Sequence, residues 1–183
     1  MSDKYSFADE LSVAEKQYAI GGNDQFKFVE GDNRLRVLSP GKPIATHRGF
    51  ANPKEFHTCY GVENGCPYHG ENEAPRTSVH FVMWILDRTD SKVKLAYMPY
   101  TIMKALRDLQ NNPDYEFDNL PMPYDITVKA TKAGTKEVEY SVVPARKNEP
   151  LTVEEQSAFM DKKTVDEVIE GMYAKERGAV SAE

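Results

Sequence analysis

Polar and apolar residues begin to alternate at residue 33. Asn33 to Leu38 places Leu35 and Val37 on one side of an extended chain and Arg34 and Arg36 on the other, the period of a half-buried strand. Thr77 to Arg88 (TSVHFVMWILDR) is a longer run rich in β-branched and aromatic residues. Asp87 to Ser91 is polar and turn-like, and alternation resumes at Lys92 and runs to Met98, so the pair reads as a hairpin. Pro99 is well placed to open a helix, and Ile102, Met103, Leu106 and Leu109 then fall at helical intervals up to Gln110. Two more alternating stretches follow, Tyr124 to Ala130 and Lys136 to Val143, joined by a turn at Lys132 to Thr135.

The ends read differently. Residues 5–19 predict a short amphipathic helix broken by Gly21, Gly22 and Asn23. Pro144 and Pro150 bracket a polar linker. Beyond it Thr152 with Glu155, and Thr164 with Glu167, form two capping-box patterns, each predicting a helix start. Val165, Val168, Ile169, Met172 and Tyr173 make one apolar stripe, expected to pack on the chain's own domain.

The order is therefore strand, long connection, strand, strand, helix, strand, strand. That order predicts a mainly β fold, a five-stranded OB-fold barrel with strands at about 33–39, 77–88, 92–98, 124–131 and 136–143. The expected organisation is an N-terminal arm (1–23), the barrel domain (24–145), and a linker with an acidic helical tail (146–183). The first connection, Ser39 to Arg76, is too long to stay ordered without support of its own.

That connection holds the candidate chemistry. Both cysteines of the chain, Cys59 and Cys66, and three of its four histidines, His47, His57 and His69, lie within it. Cys66 and His69 are spaced for one tight turn to present both to one ion, and Gly61 and Gly65 let the chain fold back to Cys59. Zinc takes four sulfur and nitrogen ligands as a closed, structural tetrahedron. Cys59, Cys66 and His69 are the expected set, with His47 or His57 as the fourth. Two cysteines in a reducing compartment do not predict a disulfide.

Charge bears on what the barrel binds. The net charge is −6, not the basic balance of a typical nucleic-acid binder. Residues 24–150 hold 17 basic and 17 acidic residues, so the excess negative charge lies at the two ends. A neutral middle can still carry a basic face. Inward placement of Val79, Phe81, Met83 and Ile85, together with Val93, Leu95 and Tyr97, would leave His80, Trp84, Lys92 and Lys94 on an outer face, where an OB-fold binds its ligand. Trp84 is the leading stacking residue of that face, with burial as its alternative. Arg34, Arg36, Lys129, Lys132 and Lys136 lie on neighbouring strands. Arg48 and Arg76 flank a loop with Phe50, Phe56, Tyr60 and Tyr68. Basic residues interleaved with aromatics suit the phosphates and bases of a single strand.

The stretch Lys27 to Ser39, the metal-loop pattern Cys59 followed by Cys66-Pro-Tyr-His69, the run through Trp84 to Arg88, and Tyr124 to Val128 resemble the single-stranded DNA-binding proteins of tailed phages. The resemblance covers about residues 24–145. It implies an OB-fold with a structural Zn2+ and favours His47 over His57 as the fourth ligand. It also implies non-catalytic, largely sequence-independent coating of single-stranded DNA in replication, recombination or repair. Replication or recombination proteins would be met through the tail, self-association would be open to the chain, and the setting would be the cytoplasm of a bacterial host. The N-terminal arm departs from the family, being slightly acidic where the best-known member is basic. Among other classes, a zinc-stabilised protein-interaction module of replication or transcription machinery fits the acidic ends. An enzyme is not expected, because no Walker loop, HExxH helix or acidic metal cluster is present. No signal peptide and no apolar run of membrane-spanning length occurs, so neither secretion nor a membrane partner is expected.

Overall fold

The computed structural model describes residues 25–48, 56–69 and 78–180. The expected helix at 5–19 and Arg76 lie outside these residues. The described residues form seven strands: β1 (Gly31–Val37), β2 (Lys42–Arg48), β3 (Phe56–Cys59), β4 (Ser78–Asp87), β5 (Lys92–Pro99), β6 (Ile126–Thr131) and β7 (Glu139–Pro144). Three helices accompany them: α1 (Tyr100–Gln110), α2 (Val153–Met160) and α3 (Val165–Val180). All the strand pairs are antiparallel, in the order β3-β2-β4-β1-β6-β7, with β5 on the other edge of β4.

β4 organises the sheet because three strands share it. One edge pairs with β5 along its length, from His80↔Pro99 to Asp87↔Lys92. The other edge is divided. β1 takes the C-terminal half (Val37↔Ile85) and β2 the N-terminal half (Lys42↔Val82). Between them residues 38–41 bulge out, and polar groups mend the ladder. Leu38 N–H donates to the Trp84 carbonyl at 3.0 Å, and Trp84 N–H donates to Ser39 Oγ at 2.8 Å. β1 and β2 thus act as one long strand with a kink.

The architecture corrects the expectation of a closed, mainly β barrel. It is a mixed α/β fold whose sheet stays open, since β5 and β7 do not pair. Other groups fill that gap. Phe26 N–H donates to the Leu95 carbonyl at 2.8 Å, Phe28 lies 5.0 Å from Phe26, and Phe28 lies 5.1 Å from Tyr140 on β7. α1 packs on β4, β5 and β7 and sinks Ile102 and Leu106 into the core. Apolar side chains, not a strand ladder, close the inner core.

β4 is buried on both faces over residues 82–86. The inner core gathers Leu35, Val37, Met83, Ile85, Ala96, Met98, Ile126 and Val128. The outer core gathers Leu38, Ile44, Val82, Trp84, Leu86 and Val93 beneath Val165 and Ile169 of α3. The expected side assignment of β5 is therefore reversed. Register pairs Met83 with Ala96 and Trp84 with Leu95, so Val93, Leu95 and Tyr97 share the Trp84 face. The apolar stripe of α3 packs on its own domain, as its spacing predicts.

Both capping boxes form. Thr152 and Glu155 bond reciprocally at the start of α2, and Thr164 and Glu167 do so at α3. No helix among the described residues is long and apolar enough to cross a membrane.

Candidate metal centre and the surface around it

The long connection is not a bare loop. β2 and β3 form a hairpin within it, with His47 opposite His57 and Ala45 opposite Cys59. After Cys59 the chain makes a single 3-10 turn over Val62–Asn64. Gly61 and Gly65 take φ of 94° and 81°, the left-handed backbone that glycine adopts without strain. Cys66 N–H donates to the Gly61 carbonyl at 3.1 Å, and Asn64 Nδ2 donates to the Tyr60 carbonyl at 2.8 Å. The turn therefore returns Cys66 to the neighbourhood of Cys59.

His47, Cys59, Cys66 and His69 come together here. Their ligand atoms all lie within 4.8 Å of one another, and Cys59 Sγ is 3.1 Å from His69 Nε2. A zinc tetrahedron with bonds of about 2.0–2.3 Å has ligand atoms roughly 3.3–3.8 Å apart, so the group needs to contract by only about 1 Å. His47 is fully buried, Cys66 is buried, Cys59 is half-buried and His69 is exposed. Burial pushes the Cys59 thiol above its ordinary pKa. A hydrogen bond with the Gly61 backbone pulls it back, and the Cys66 thiol alongside adds to the rise. A divalent cation opposes that rise, because zinc binds thiolate rather than thiol. The four side chains form a group that can hold a metal ion such as zinc.

His57 is not part of the group. Its Nδ1 lies 2.7 Å from Glu176 Oε1 on α3, and its ring stacks at 4.5 Å on Tyr68. Tyr68 lies between His57 and His47, whose ring centroid is 5.6 Å away. Glu176 Oε2 also accepts from Thr58 N–H at 3.3 Å, so the helix meets a backbone donor of β3 directly. Glu176 is the neighbour that sequence reasoning missed. Its one signal is a carboxylate near a helix C-terminus, where the helix dipole disfavours it.

The expected nucleic-acid residues separate into two groups. Four are committed to the fold. Trp84 is 7% exposed beneath α3, and its Nε1–H donates to the Lys163 carbonyl at 2.8 Å. Arg36 is 1% exposed; it bonds Asp125 Oδ1 at 2.7 Å and the Glu149 carbonyl. Lys94 bridges Asp87 and Asp90, each at 2.7 Å; burial works against its charge, yet these carboxylates hold its pKa above the ordinary lysine value. Tyr60 is buried, with the Arg177 guanidinium 5.9 Å from its ring. Such side chains cannot also stack on bases or meet phosphates. The physical reasons differ: α3 covers Trp84, the linker reaches Arg36, Lys94 is held by the carboxylates of its own hairpin, and Tyr60 is buried in the metal-loop segment beneath Arg177.

Among the described residues, most of the others stay near the surface. Lys92, Lys129 and Lys136 are exposed. Lys132 pairs with Glu137 at 2.9 Å. Arg34 is a little over half exposed and reaches Asp125 at 2.9 Å. Arg48 ends β2 opposite Phe56. His80 is half-buried, and burial lowers its pKa, which favours a neutral imidazole over a phosphate contact.

Asp125 links several of these groups. It is buried and accepts from Arg34, Arg36 and Arg88, while Arg88 also bonds Glu155 of α2. Comparisons with protein-family models, with curated proteins and with solved structures found no match to this chain.

Proposed function

We propose that the chain is a zinc-holding, OB-type module that binds single-stranded DNA and catalyses no reaction. Connectivity carries this reading. A kinked first strand, a long insertion, two hairpin strands, a helix and a second hairpin follow one another in OB order, with the helix between the two hairpins. The ion is structural Zn2+, held by His47, Cys59, Cys66 and His69, and its work is to order the insertion. The resemblance of residues 24–145 to tailed-phage single-stranded DNA-binding proteins supports the same conclusion. It also supports a place in replication, recombination or repair.

The binding surface moves from Trp84 to the end of the sheet where β3 and β4 begin and β5 ends. Thr46 pairs with both Thr58 and Ser78, Arg48 pairs with Phe56, and Pro99, the partner of His80, leads directly into Tyr100. Phe56, Val79 and Tyr100 are exposed there, at 61%, 49% and 63%. Phe56 and Tyr100 offer rings for bases, and Arg48, opposite Phe56 in the register, is a basic candidate for phosphates. Arg34, Lys92, Lys129, Lys132 and Lys136 are the remaining basic candidates.

The test is anisotropy of a labelled thymidine oligonucleotide with zinc-loaded protein, titrated with salt. Binding should be measurable at low salt and fall steeply as salt rises. Phe56→Ala and Tyr100→Ala should each weaken it by about 1–3 kcal/mol. No binding at low salt overturns the reading. A second reading, a zinc-stabilised protein-interaction module, is favoured by α2 and α3 covering the Trp84 face. Capture of a replication protein that survives nuclease treatment, by a chain that binds no DNA, would select it.

A further inference from the structure

We infer that metal occupancy controls whether α3 stays on the sheet, so that the ion opens and closes the face built around Trp84. The inference rests on the zinc reading of His47, Cys59, Cys66 and His69.

α3 is held at two ends. At its start, Trp84 Nε1–H donates to the Lys163 carbonyl and the Lys162 ammonium lies 5.3 Å from the indole centroid. Along its length, among the described residues, Val165 and Ile169 are buried. Val168, Met172 and Tyr173 are half-covered, and Tyr97 Oη donates weakly to Met172 Sδ at 3.8 Å. At its far end, the polar and ring contacts fall on the β2–β3 hairpin and the turn after it. Glu176 meets His57 and Thr58, and Arg177 lies over Tyr60.

Those contact points flank the ligands. Thr58 and Tyr60 lie on either side of Cys59, and Tyr68 stacks between His57 and His47 and precedes His69. Drawing four ligands onto one ion fixes the hairpin and turn as a unit and so presents a fixed dock to α3. When the ion leaves, the residues that meet Glu176 and Arg177 lose their common anchor.

The helix is poorly built to stay without that dock. Gly171 and Gly178 lie within it, and a Cβ at either would meet open space, so packing does not require glycine at either place. Glycine is the weakest helix former after proline. The C-terminal half of α3 should therefore detach first, uncovering Tyr97 beneath Met172, and the release should then spread to Ile169 and Val165 and uncover Val82 and Trp84 at the start of the helix.

The test uses the full chain, zinc-loaded and then chelated under reducing conditions, with bound metal counted by emission spectrometry. Hydrogen exchange reports α3, and emission of the sole tryptophan reports the face. Chelation should speed exchange in 172–180 by at least about ten-fold and red-shift Trp84, while β4, β5 and β6 stay protected. Glu176→Ala should speed the same amides with zinc retained, and the pair Gly171→Ala and Gly178→Ala should resist release. A chain that binds zinc but keeps α3 and Trp84 unchanged on chelation overturns the inference alone. So does loss of protection throughout the sheet, which would make the ion a global rather than a local support. A chain that binds no zinc overturns the metal reading and the inference with it.

Discussion

The two faces of β4 are both apolar, yet they are held in different ways. On the inner face, Met83 and Ile85 are enclosed by β1, β5, β6 and α1, and their neighbours Leu35, Ala96, Met98, Ile102, Ile126 and Val128 are fully buried. On the outer face, Val82, Trp84 and Leu86 are covered by helices from the far end of the chain, and α3 brings two buried residues among those described, Val165 and Ile169, each 7% exposed. The inner core is shared among elements that pair along their backbones. The outer core rests on a helix held by side chains and by the hairpin of the metal centre. One layer should therefore set global stability, and the other should open locally.

Asp125 is where the layers are pinned together, and its loss should have the largest effect. It neutralises the buried Arg36 of β1 and also meets Arg34 and Arg88, while Arg88 reaches Glu155 of α2. Asp125→Ala leaves a buried guanidinium without its carboxylate. The expected cost is about 3–5 kcal/mol in a urea unfolding curve. A shift under about 1 kcal/mol would mean that Arg36 finds another partner, and that the pin is not what couples the layers.

The contrast between the faces was only partly legible in the sequence. Local signals read well. The helix expected from Tyr100 to Gln110 forms over those residues, and Thr152 and Thr164 cap where their spacing places them. The metal group was legible because cysteine is scarce in this chain and the turn glycines flank it. The phase between β4 and β5 was not legible. It depends on the Asp87–Lys92 connection, where Ser91 takes φ of 55°, and one residue of slip moves every side chain to the opposite face. β2 and β3 were hidden because β2 carries Pro43 and β3 is only four residues long. Trp84 looked like a surface ligand because its cover, Lys163 and α3, lies 79 residues away along the chain. A strand that is apolar on both sides signals two covers, without saying where the second comes from.

A matched pair of substitutions measures the difference directly. Ile85→Ala empties a fully buried inner position and should cost about 2–5 kcal/mol of global stability. Ile169→Ala, on the underside of α3, removes the same atoms from a layer with fewer supports. Its unfolding free energy in urea should fall much less, by about 1 kcal/mol, while exchange in residues 165–180 accelerates and Trp84 emission shifts red. Equal midpoint shifts for both variants would show that the outer layer unfolds only with the whole sheet.

The smallest expected effect is also the most selective. Gly171 lies within α3, with open space where a Cβ would point. Gly171→Ala should therefore add no clash and should stabilise the helix by about 0.5–1 kcal/mol. If α3 opens locally, that gain appears as roughly 2–5-fold slower exchange of its amides, with β4 and β6 unchanged. The slowing should be greater without zinc, when the helix must hold itself together, than with zinc, when the hairpin holds its far end. Slowing that spreads equally to the inner strands would mean that the two faces of β4 share a single cooperative unit.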